Sequence, residues 1–72
     1  MTNIILASKI VDFFEKYDLL QGERASTIYN LVLKALNENN KEDLQIVLDY
    51  FGDFFQLNPQ VRDIYWELSK RL

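Results

Sequence analysis

Apolar residues recur three and four positions apart along almost the whole chain, and no stretch alternates in the two-residue period of a strand. That rhythm predicts helices. The first covers residues 4–17, with Thr2 or Asn3 as cap and Leu6, Ala7, Ile10, Phe13, Phe14 and Tyr17 on its inward stripe. DLLQG, residues 18–22, is the first turn, although Asp18 with Gln21 three residues on equally matches a capping box that starts the second helix early. The second helix covers residues 23–37 and carries a wide apolar arc with Leu31 and Leu33 at its two edges. NENNK, residues 37–41, breaks it, because asparagine side chains bond to nearby backbone, and it offers Asn39 or Asn40 as the next cap. Glu42 and Asp43 then suit the positive first turn of a third helix. Asn58-Pro59 is the clearest boundary, since asparagine caps well and proline is tolerated at the first helical position. The fourth helix runs from Pro59 to near the end, with Lys70 and Arg71 in its last turn, where cations complement the helix dipole. The predicted fold class is all-α: a small bundle of about four short amphipathic helices joined by tight turns, one α-helical domain over residues 1–72.

The third helix is the most unusual. Projected at about 100° per residue, Gln45, Asp49, Gly52, Asp53 and Gln56 are confined to a polar arc of roughly 100°. The apolar residues from Leu44 to Leu57 sweep about 200°, twice what a helix lying on a core requires. Two readings follow: this helix is central and touches two neighbours, or its Ile46, Tyr50, Phe54 and Leu57 edge meets another chain. Gly52 lies on the polar side, either as a tolerated weak spot or to admit another backbone. In the fourth helix the inward stripe is Val61, Ile64, Tyr65, Leu68 and Leu72, and Trp66 projects away from it beside Arg62, Asp63 and Lys70. A tryptophan next to arginine is a common interface anchor; it is also what a partly exposed ring stacked on a cation looks like. Glu42, Asp49 and Asp53 form an acidic strip that is either a solvated face or the part that orients a basic partner.

FFQLNPQVRDIYWEL, residues 54–68, resembles the junction between two tetratricopeptide repeats, where a helix ends in a Leu-Asn-Pro turn and the next begins with aromatic residues. The resemblance covers about a fifth of the chain. Val47 and Phe54 depart from it, because they fall where that repeat places small residues, and NENNK lengthens the spacing.

Composition narrows the function. A chain of 72 residues that is 49% hydrophobic and 14% aromatic has little interior for so much apolar surface. Association is the simplest outlet. Without cysteine or histidine there are no disulfides, no usual zinc ligands and no ready acid–base or nucleophilic pair, and no glycine-rich phosphate loop is present. No cofactor and no catalysis are expected. A net charge of −3 with scattered basic residues argues against nucleic-acid binding. The four-residue apolar run at Ile4 meets Lys9 and Asp12, too short and too charged for a membrane span or signal peptide, so a cytoplasmic protein is expected. The expectation is a non-catalytic interaction module: an adaptor, chaperone-like subunit or inhibitor. It would bind a protein partner, as a homodimer or small hetero-complex, with Ile46, Tyr50, Phe54, Leu57 and Trp66 as anchors and Asp49, Asp53 and Arg62 setting orientation. The alternatives are a purely structural homo-oligomer and a helical nucleic-acid-associated regulator.

Overall fold

Four α-helices carry the chain in the computed structural model, which describes residues 1–52 and 59–72: α1 (Asn3–Lys16), α2 (Ala25–Glu38), α3 (Lys41–Gly52) and α4 (Pro59–Arg71). Among the described residues there is no strand. Each helix packs on the next along the chain and α4 closes on α1, so the four form a ring around one core. Thr2 caps α1, its hydroxyl accepting from the Ile5 amide at 3.2 Å. The predicted stripe of α1 is buried from Leu6 to Phe14, together with Val11. Tyr17, expected on that stripe, falls just past the helix end and is partly exposed.

Two connections differ in kind. Between α2 and α3 only Asn39 and Asn40 intervene. Asn39 adopts the left-handed conformation (φ 53°), and the Asn40 amide donates to the Ala35 carbonyl at 2.9 Å, which closes α2 in a Schellman motif. The same Asn40 caps α3: its side-chain oxygen accepts from the Asp43 amide at 3.3 Å, while its side-chain nitrogen donates to the Asp43 carboxylate at 3.0 Å. The connection from α1 to α2 holds a tight turn, the Glu23 amide donating to the Leu20 carbonyl at 3.0 Å, and not a capping box that begins α2 early. Asp18 and Gln21 are both left-handed, and α2 starts at Ala25. Here too a Schellman motif ends the helix, the Leu19 amide donating to the Phe14 carbonyl at 2.7 Å. Leu19 and Leu20 then fold back against the core, which draws the chain away from a helical path.

The core takes up part of the aromatic surface. Phe51 of α3 is fully buried and reaches across the ring to α1, its ring 4.8 Å from Phe13 and 5.7 Å from Phe14. Such pairs contribute about 0.5–1.5 kcal/mol each beyond the area they bury. On α4, Val61, Ile64 and Leu68 complete the core; Tyr65 is half-buried and Leu72 partly exposed. Among the described residues no polar side chain is buried without a hydrogen-bond partner.

Candidate protein-binding groove

Further apolar surface lies open between α2 and α3. The two helices, joined by the two-residue turn, leave an open trough of about 430 Å³ between them. Phe14 of α1 forms part of its lining, Ile28, Leu31 and Val32 come from α2, and Ile46, Val47 and Tyr50 come from α3. Leu31 is 59% exposed, Ile46 57% and Tyr50 41%. All three project from helices whose buried residues (Val32, Ala35 and Leu36; Leu44, Leu48 and Phe51) occupy the adjacent face. The Tyr50 ring is held edge-on to Phe14 at 5.8 Å. Charge gathers towards the turn: Glu38 on α2 and Asp43 on α3 stand there, with Lys34 one turn further along α2.

Of the described residues expected at an interface, only Ile46 and Tyr50 line this trough. Asp49 is exposed on the polar side of α3, where the Gln45 side-chain nitrogen donates to its carboxylate at 2.9 Å. Trp66 is 56% exposed on α4 and rests edge-on against Tyr65, with ring centroids 6.0 Å apart. Trp66 and the exposed Arg62 belong to the surface of α4 and not to the trough lining. Phe54, Leu57 and Asp53 lie outside the described residues. The predicted set is thus distributed over more than one face. Leu31 is the member that sequence reasoning left off the list. Its signal was present as one edge of the wide arc of α2.

A second hollow, between α1 and α4, is lined by Lys9, Asp12, Phe13, Lys16, Gln60 and Ile64, among others. At about 110 Å³ it is below the size at which small-molecule sites operate. Among the described residues no group of three His, Cys, Asp or Glu could hold a metal ion, and no helix is long and apolar enough to cross a membrane. Comparison with protein-family models, with curated proteins and with solved structures finds no match to this chain.

Proposed function

We propose that this chain is a small non-catalytic protein-interaction module, an adaptor, chaperone-like subunit or inhibitor, which acts by burying the α2–α3 groove against a helix of a partner protein or of a second copy. One observation carries the reading. Leu31, Ile46 and Tyr50, three large apolar side chains from two helices, stand at least 41% exposed around a single trough. Isolated exposed apolar residues are ordinary, whereas a contiguous set marks a binding surface. An open trough with aliphatic and aromatic walls and charge at one end suits an amphipathic helix with apolar residues at i, i+3, i+4 and i+7.

The test is a displayed library of such helices selected against the protein. Bound peptides should perturb the backbone amide signals of Leu31, Ile46 and Tyr50. Ile46→Asp should weaken them at least about tenfold, the equivalent of roughly 1.4 kcal/mol, while leaving helicity unchanged. Helices that leave those amides undisturbed, or that bind Ile46→Asp as well as the parent, would remove the groove as the site.

A further inference from the structure

The order of charges along α2 identifies what fills the groove. Leu31 is the most exposed large apolar residue of this helix, and Arg24 and Glu38 stand seven residues before and after it. Seven residues make close to two helical turns, so Leu31 and Glu38 share one face, and Arg24 stands at the start of the helix with extended backbone. Arg24 is the N-cap residue of α2 and makes no side-chain capping bond; Glu38 is its last residue; both are exposed. The geometry points to a second copy of this chain on the groove, its α2 antiparallel to the first about a two-fold axis at Leu31. This rests on the groove being a protein-binding site.

In that register Leu31 meets the partner's Leu31 on the axis, between the Ile46 and Tyr50 walls of both copies, and Arg24 faces the partner's Glu38 twice. An isologous contact repeats every favourable pair in this way. Other registers are poorer. Sliding the pair until Arg24 faces Lys34 sets cation against cation, and sliding it the other way takes Glu38 off Arg24. Pairing α3 with α3 about Ile46 sets the exposed Asp43 against the partner's Asp49 twice, on a chain already at −3. The groove runs from Ile28 to Glu38 along α2, about three helical turns, so the contact is smaller than the roughly 800 Å² per partner of a standard interface and belongs among weak, reversible dimers.

Sedimentation equilibrium between about 10 µM and 1 mM, a range suited to a weak interface, tests this directly. The parent chain should pass from monomer to dimer across that range. Arg24→Glu and Glu38→Arg should each weaken dimerisation about tenfold or more, since each turns two attractions into two repulsions, and the double variant should return to within about threefold of the parent. Both positions are exposed and each new charge suits its helix end, so circular dichroism should show intact helices. A parent chain that stays monomeric throughout, or a double variant no better than the singles, overturns the dimer. If the selected helices still bind the groove of such a monomer, only the choice of occupant has failed; if they do not, the binding site has failed with it.

Discussion

Gly22 and Gly52 respond oppositely to the same added methyl group. Gly22 sits at φ +84° in the α1–α2 connection with nothing near its absent side chain, so space is not the constraint there. The backbone conformation is. Alanine would be forced into the left-handed region, and Gly22→Ala should destabilise the fold by about 1 kcal/mol. Gly52 is helical, and a Cβ there would meet only a Tyr65 ring carbon at 3.9 Å among the described residues, an ordinary contact. Of its two sequence readings this favours the tolerated weak spot, since no backbone of the described residues approaches. Gly52→Ala should stabilise by about 0.5–1 kcal/mol. Urea midpoints at unchanged slope measure both, and a rise for Gly22→Ala would refute its left-handed assignment. Leu31 and Leu33 show where single-residue reading stops. Periodicity places them alike at the two edges of the α2 arc, yet Leu33 packs on the core and Leu31 is exposed. The difference lies in which edge of α2 a neighbouring helix covers, which no local pattern records.

Helix ends were legible where one side chain makes the boundary. Thr2 and Asn40 were both among the predicted caps, and both bond the backbone amide three residues on. Asn40→Ala would remove that acceptor together with the bond to the Asp43 carboxylate. A loss of about 1 kcal/mol is expected by denaturant titration, and an unchanged midpoint would mean the cap is idle. The α1–α2 connection was not legible, for a physical reason. Asp18 and Gln21 have the spacing of a capping box, but the box competes with the burial of Leu19 and Leu20, and burial wins. Local hydrogen-bonding chemistry predicts an element when nothing larger opposes it. The third helix shows the same limit: its apolar arc announced more surface than one face could bury, and only the placement of α2 showed which edge stays open.

At the scale of the molecule the two chain ends are tied together. Arg71, expected only to complement the dipole of α4, donates to the Met1 carbonyl at 2.9 Å, to the Asn3 side-chain oxygen at 3.1 Å and to the Glu67 carboxylate at 3.3 Å. Glu67 also lies 3.5 Å from the Lys70 ammonium and 3.8 Å from the Met1 ammonium. Desolvation pushes the Glu67 carboxyl up, but the Arg71 hydrogen bond, with Lys70 and the N-terminal ammonium, outweighs it and holds the group below its ordinary value of 4.5. A carboxyl lowered in the fold binds its proton more readily in the unfolded chain. Its stabilisation is therefore complete above the unfolded value and disappears as pH falls through the folded one. Glu67→Gln removes the charge at every pH. The variant should unfold at lower denaturant than the parent at about pH 6, and the gap should close as the parent is acidified towards about pH 3. Taking the difference between the two proteins cancels the other carboxylates, which both share. A gap that stays constant over that range would show that Glu67 acts by shape alone, and that α1 and α4 are joined by their apolar contacts without help from this ion cluster.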